Sequence, residues 1–70
     1  MPLTLASAGK TMRIYRITGK DDVKRHLADL GFVEGVELSV VNELGGNLIL
    51  NVKGTRIAVD KKMASRILVN

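Results

Sequence analysis

The chain has 70 residues, of which 46% are hydrophobic, and it contains no cysteine. A chain of this length forms one small domain, and its core must be stabilised by packing alone, because disulfide bonds and thiolate metal sites are excluded. Eleven Lys and Arg against seven Asp and Glu give a net charge of +4, which favours anionic partners without identifying one.

The chain has no predicted membrane segment. No apolar run approaches the roughly 20 residues that span a bilayer. Residues 1–10, MPLTLASAGK, lack the charged leader and the long apolar stretch of a signal peptide, so they are predicted to be part of the fold. We therefore expect a cytoplasmic protein without membrane insertion.

The first predicted element is a strand over residues 11–17, TMRIYRI. Apolar residues alternate there with charged and aromatic ones, and a period of two indicates a strand with one buried face. Met12 and Ile14 are expected in the core. Arg13 and Tyr15 are expected on the solvent side.

A helix is predicted over residues 20–30. Asp21 or Asp22 is expected to cap its first turn, where a carboxylate also opposes the positive end of the helix dipole. Three apolar residues recur at helical spacing and are expected to share the buried face: Val23, Leu27 and Leu30.

The segment LGFVEG, residues 30–35, is predicted to end this helix and reverse the chain. Gly31 can take the left-handed backbone conformation that closes many helices, since it has no side chain to clash. Phe32 is then expected to cover Leu27 on the last turn, and Gly35 to form a second tight turn.

The rest of the chain is predicted to consist mostly of short strands. Strands are predicted over residues 36–42, 48–53 and 56–59, one helical turn over 60–65 and a last strand over 67–69. Glycines between the strands, Gly54 among them, indicate hairpin turns, and Asp60 is expected to cap the helical turn. Five short strands and one helix indicate a mainly β, partly open barrel, because closure hides strand edges.

The ordered series PLTLASAGKTMRIYRITG, LADLGFVEGVELSVV and VKGTRIAVDKKMASRILV resembles the FeoA family over essentially the whole chain. The most specific piece is LGFVEG followed by the valine-rich strand. Members often carry proline before the second glycine, where this chain has Glu34, so the local turn type is the point of departure. The resemblance implies an SH3-like barrel of about five strands, with one helix between the first two strands and a helical turn before the last.

The resemblance also implies a function. FeoA proteins are small cytoplasmic accessory proteins of bacterial ferrous iron transport, so this chain is expected to bind the cytosolic part of the FeoB permease and to modulate iron uptake. That part of FeoB includes a GTP-binding domain. The chain itself has no Gly-Lys-Ser or Gly-Lys-Thr phosphate-binding loop, so any nucleotide is expected to belong to the partner.

An intrinsic cofactor and enzyme activity are not expected. The single histidine, His26, lies in one helical stripe with Asp22 and Asp29, and this trio could hold a ferrous or other divalent ion weakly. A metal-responsive domain is therefore one alternative function. A solvated helix flank is the preferred interpretation, because three ligands on one exposed helix have no enclosure, and a lone histidine has no partner for catalysis.

A basic nucleic-acid-binding barrel is the second alternative. Such barrels usually stack bases on aromatic rings, and this chain offers only Tyr15 and Phe32, the second of which is assigned to the helix end. We therefore expect no nucleic acid as a partner.

A protein contact surface is predicted from exposed apolar and basic side chains, a mixture typical of interfaces. The predicted contact residues are Leu44, Tyr15, Arg13, Arg16, Lys53 and Arg56. The alternative for Leu44 is that it folds back over the barrel rim, with the basic residues acting only as a soluble surface. Unpaired strand edges also leave a homodimer open.

Overall fold

Five antiparallel strands and two short helices make up the protein, whose computed structural model describes residues 1–70. The strands are β1 (Thr11–Ile17), β2 (Glu37–Leu44), β3 (Asn47–Val52), β4 (Thr55–Asp60) and β5 (Ile67–Val69). The helices are α1 (Asp21–Asp29) and α2 (Lys61–Ala64), and a 3-10 turn covers Leu3–Leu5. The predicted order of elements and the mainly β class are confirmed. With nine and four residues, α1 and α2 are both too short to span a bilayer.

The strands form one sheet in the order β4-β3-β2-β1-β5. β1 is shared between two neighbours, since Thr11–Arg13 pair with β2 whereas the rest of the strand pairs with β5. This division lets one strand join both halves of the sheet into a small barrel. On the far side of β5, the N-terminal ammonium of Met1 donates to the Val69 carbonyl at 2.7 Å, and the Val69 N–H donates to the Met1 carbonyl at 2.7 Å. Met1 therefore covers part of the β5 edge.

A β-bulge in β1 keeps Arg16 out of the core. Strict alternation after Ile14 would point residue 16 inward. The register with β5 instead shifts between Ile14 and Arg16, which leaves Tyr15 as the extra residue. An extra residue reverses the alternation, so Arg16 stays exposed and Ile17 packs partly against the core.

The core consists of 14 buried residues, all of them apolar, and no polar or charged residue is buried. The largest completely enclosed side chains come from nearly every element: Phe32, Leu3, Ile14, Leu27, Leu38, Leu50, Ile67 and Val69. The predicted burial of Met12 and Ile14 is confirmed. Hydrophobic burial with tight packing is therefore the main source of stability in a chain without crosslinks.

The helix end follows the prediction closely. Gly31 has a φ of 101°, and its N–H donates to the Ala28 carbonyl at 2.9 Å, while the Phe32 N–H donates to the Leu27 carbonyl at 2.9 Å. These two bonds are the pair that defines a Schellman motif, in which a hydrophobic residue after the glycine packs against the last turn. Phe32 and Leu27 are both fully buried in the same cluster, so the prediction for this pair is confirmed.

In α1 the expected N-cap and the expected burial of Leu30 are wrong, whereas the expected carboxylates at the positive end of the helix dipole are confirmed. Lys20 occupies the N-cap position without a side-chain bond, and both aspartates lie inside the first turn, where the Asp22 carboxylate accepts from the Val23 N–H at 2.9 Å. Leu30 is 36% exposed instead of buried, because the helix ends at Asp29 and Leu30 forms its C-cap, beyond the regular apolar stripe.

In α2 the predicted cap is confirmed, since the Asp60 carboxylate accepts from the Met63 N–H at 2.7 Å.

Candidate protein-docking surface

Three of the predicted contact residues lie towards one end of the sheet. Arg13 pairs with Glu37 across β1 and β2, and Arg56 lies opposite Asn51 across β3 and β4. Lys53 is the first residue of the turn that joins β3 to β4. The guanidinium of Arg13 lies 3.5 Å from Glu37 Oε1, and both side chains are 61% exposed. Exposed pairs of this kind stabilise a protein by about 1 kcal/mol or less. Arg13 can therefore leave Glu37 at little cost and bind a carboxylate of another protein.

Leu44 lies at the opposite end of β3 from Lys53, in the hairpin of β2 and β3. It is the last residue of β2, opposite Asn47 and beside the Gly45-Gly46 turn, and it is 68% exposed. It therefore does not fold back over the rim, and it belongs to a strand, where the sequence indicated a loop. β3 has six residues, which separates this turn from Lys53 by roughly 20 Å at the usual rise of a strand. The structure does not bring Leu44 together with Arg13, Lys53 and Arg56.

Tyr15 and Arg16 occupy the bulge of β1, and Tyr15 lies two residues after Arg13 on the same exposed face, as predicted. Tyr15 is 47% exposed. The neighbouring Ile14 donates its N–H to the Val36 carbonyl at 2.9 Å and accepts from the Gly35 N–H at 2.7 Å, which holds the loop after α1 against β1. The second predicted turn, at Gly35, thus fixes the loop beside Tyr15.

Sequence reasoning missed a groove between α1, β4 and α2, which we call the α1–β4 groove. It has a volume of about 150 Å³, and five of its seven lining residues are hydrophobic. The lining residues are His26, Leu27, Leu30, Ala58, Val59, Asp60 and Met63. The available signal was Leu30, an apolar residue at the C-cap position, which regular helical spacing places on the buried face. The partly exposed side chain of Leu30 forms part of one wall of the groove.

The candidate metal ligands are not gathered into a binding site. His26 lines the α1–β4 groove, while Asp22 is engaged by the Val23 amide in the first turn of the helix. No group of three or more His, Cys, Asp or Glu side chains is close enough to hold a metal ion, so Asp22, His26 and Asp29 do not converge. A shared stripe on one helix does not supply the ligands from several directions that a tetrahedral site requires.

A family model described as the FeoA domain matches residues 1–70. The chain is 28% identical over 68 residues to a Methanocaldococcus jannaschii protein named as an Fe(2+) transport protein A, covering 97% of this chain and 83% of the relative.

Solved structures agree with that match. A crystal structure described as the iron uptake regulatory protein FeoA is 29% identical, with a TM-score of 0.89 over 99% of this chain and 92% of the other. Stenotrophomonas maltophilia FeoA in complex with zinc, described as an SH3 domain protein, is 29% identical, with a TM-score of 0.83 over 100% of this chain and 89% of the other. The barrel is therefore SH3-like, and the chain belongs to the FeoA family.

Proposed function

We propose that this protein is a cytoplasmic accessory protein of ferrous iron transport that docks on the cytosolic part of a FeoB-type permease and shifts its conformational equilibrium. The observation that carries the proposal is the α1–β4 groove, in which five of the seven lining residues are hydrophobic, on a barrel whose buried residues are all apolar. The names of the relatives support the biological context. One is an Fe(2+) transport protein A, and the S. maltophilia protein is described as a candidate ferrous iron transport activating factor.

The distribution of polar groups favours docking over catalysis. Catalytic sites gather polar groups in a cleft, where burial and neighbouring charges tune them. Here the interior contains no polar side chain, and the groove presents His26 and Asp60 among leucine, valine, alanine and methionine. A groove lined mainly by hydrophobic residues with a few polar ones is suited to receive an apolar side chain of a partner protein.

The mechanism is a linkage effect. A docked protein shifts a conformational equilibrium only if it binds one state more tightly than the other. Because the cytosolic part of the expected partner binds guanine nucleotides, the nucleotide state is the natural variable that distinguishes the two affinities. We therefore expect the affinity of this chain for the permease to differ between the GTP-bound and GDP-bound forms.

The experiment is a calorimetric titration of the 70-residue chain into the soluble cytosolic domain of the permease from the same organism. It is run with GTP, with GDP and without nucleotide. Two matched variants locate the surface, since Leu30→Glu places a carboxylate at the α1–β4 groove and Leu44→Glu places one at the hairpin turn. We expect Leu30→Glu to weaken binding at least about tenfold, as is typical of a central anchor, and Leu44→Glu to have a smaller effect. Absence of binding by the unmodified chain in all three conditions contradicts the proposal.

Weak binding of a divalent ion is a second candidate function. It is favoured by the zinc complex of the S. maltophilia relative, and His26 with Asp60, which lines the same groove, is the candidate ligand pair here. An NMR titration with zinc should shift the His26 ring signals, and the shift should disappear in His26→Gln. Ring signals that do not move with zinc contradict this candidate and leave the docking proposal intact.

A further inference from the structure

The two edges of the sheet differ. The β5 edge is partly covered by Met1, whereas β4 pairs only with β3. None of the backbone hydrogen bonds made outside the helices and strands involves Arg56 or Ala58. Both residues are exposed, so the middle of the β4 edge is open to another chain.

The register identifies which backbone groups face outward. Lys53 and Gly54 form a two-residue turn with φ values of 53° and 80°, and Val52 lies opposite Thr55. In such a hairpin the residues that flank the turn form a hydrogen-bonded pair, and hydrogen-bonded and non-hydrogen-bonded pairs then alternate. Thr55, Ile57 and Val59 therefore bond to β3. The N–H and C=O groups of Arg56 and Ala58 point away from it, and so does the Asp60 N–H, whereas Asp60 is the N-cap of α2 and its carbonyl begins that helix.

The outward-facing sequence is self-complementary. If a second copy of β4 lies antiparallel to the first and is centred on Ala58, each Arg56 stands opposite Asp60 of the second copy. Arg56 presents its N–H and C=O groups and Asp60 presents its N–H, so the same pairing forms backbone bonds and places opposite charges across from each other. Oδ1 of Asp60 caps α2, which leaves Oδ2 for the arginine of the second copy. Opposite charges at directly facing strand positions are favourable, and the small Ala58 at the centre presents no bulk at the axis.

The apolar side of the same pairing is also matched. In this register, Ile57 of the second copy stands opposite Val59, on the face of the sheet that points inward. Val59 lines the α1–β4 groove, which has a volume of about 150 Å³ and opens beside β4. Ile57 is only partly buried within its own chain, so its exposed part is available to the groove of the second copy.

We propose that the free edge of β4 is a self-association site, at which two copies of this chain pair antiparallel about Ala58 and join their sheets. The contact is isologous, so each copy contributes the same strand and each Arg56 and Asp60 is used once. A heterologous peptide strand could use the backbone groups. It would not require a basic and an acidic residue placed symmetrically about a small central one.

The association is expected to be weak. Only the middle of one short strand is paired, and interfaces that bury less than about 1,200 Å² belong to the transient class. We therefore expect a dissociation constant on the order of 0.1 to 1 mM. The attraction between the exposed charges is screened by ions, so the constant should rise with salt.

Sedimentation equilibrium of the whole chain at concentrations up to about 1 mM tests the proposal with two charge variants. Arg56→Glu and Asp60→Lys each place like charges opposite each other twice in the homodimer. Each variant alone should weaken self-association at least about tenfold. An equimolar mixture of the two should recover it, because the mixed dimer has opposite charges at both pairs. Arg16→Glu makes the same charge change on β1 and should leave association unchanged.

Ala58→Pro is the backbone test. Its N–H faces away from β3, so proline should abolish dimerisation while the β3 and β4 amides retain their protection from hydrogen exchange. Circular dichroism checks the fold of Asp60→Lys, which loses the cap of α2.

Three results would overturn the proposal: a monomeric chain at about 1 mM, no recovery in the mixture, or equal weakening by Arg16→Glu. Loss of permease binding in Ala58→Pro, with a monomeric unmodified chain, would instead assign the edge to a permease strand. Failure of self-association alone does not affect the proposed docking function.

Discussion

The backbone N–H of Phe32 donates to the carbonyl of Leu27 at 2.9 Å, and both side chains belong to the same fully buried cluster. The end of the only long helix is thus coupled to the core by one aromatic residue. Phe32 is the largest completely buried side chain, in a chain whose single other aromatic residue is exposed.

Truncation of this side chain should be severely destabilising. Phe32→Ala leaves a cavity and removes the apolar contact of the helix end, so we expect the free energy of unfolding to fall by about 3–5 kcal/mol. Urea denaturation followed by circular dichroism measures the change. Val33→Ala is the matched control, because Val33 is exposed, and it should change stability by no more than about 0.5 kcal/mol. Similar values for the two variants would contradict the role assigned to Phe32.

The backbone at Gly31 provides a separate test of the helix end. A Cβ built at Gly31 meets no atom within 4 Å, so Gly31→Ala should destabilise only through its φ of 101°. We expect a loss of about 1–2 kcal/mol, the usual cost of a left-handed conformation with a side chain. Gly31→Asn should lose less, since asparagine tolerates this region. Equal losses would show that the backbone angle is not the cause.

The single hydrogen bond that caps α2 should contribute measurably to the free energy of unfolding. Asp60→Ala removes the acceptor of the Met63 N–H and is expected to lower the free energy of unfolding by about 1 kcal/mol, the typical value for an N-cap. Asp60→Asn retains an acceptor and should remain close to the unmodified chain in a thermal melt. If asparagine were as destabilising as alanine, the effect would come from charge and not from capping.

One substitution should stabilise the protein. Lys53 is the only residue other than glycine with a positive φ, 53°, and it precedes Gly54 in the turn between β3 and β4. Lys53→Asn creates the Asn-Gly pair preferred in such turns, and we expect a gain of about 0.5 kcal/mol in the free energy of unfolding. Lys62→Asn is the control for the lost charge, and a gain there as well would point to charge relief instead.

The sequence allowed most of the fold to be predicted because local signals agreed with one another. Alternation in β1 up to Tyr15, glycine after α1 and an aspartate before α2 each act within a few residues, and each of these predictions is confirmed. The exposure of Leu30 was not predictable in this way. It depends on the residue at which the helix stops, and helical spacing alone continues past that point.

The contact surface was harder to predict for a different reason. Its predicted members were chosen by exposure and charge, whereas their grouping depends on strand register. The two-residue turn at Gly45-Gly46 places Leu44 at the end of β3 opposite to Lys53, whereas Tyr15 follows Arg13 on the exposed face of β1. The α1–β4 groove is lined by residues about 30 positions apart in the chain. Local sequence patterns cannot predict a contact between residues so far apart.

The double pairing of β1 has a consequence for how the barrel forms and opens. β2, β3 and β4 join through two-residue turns, so their ladders need little loop closure and can assemble early. The ladder between β1 and β5 links residues roughly 50 positions apart, and β5 contributes only three residues. Among the ladders of the sheet, this seam joins the residues farthest apart in the chain, so it has the highest entropic cost to close. It is therefore where the barrel should first come apart under mild denaturation, with the meander of β2 to β4 persisting as the more cooperative unit.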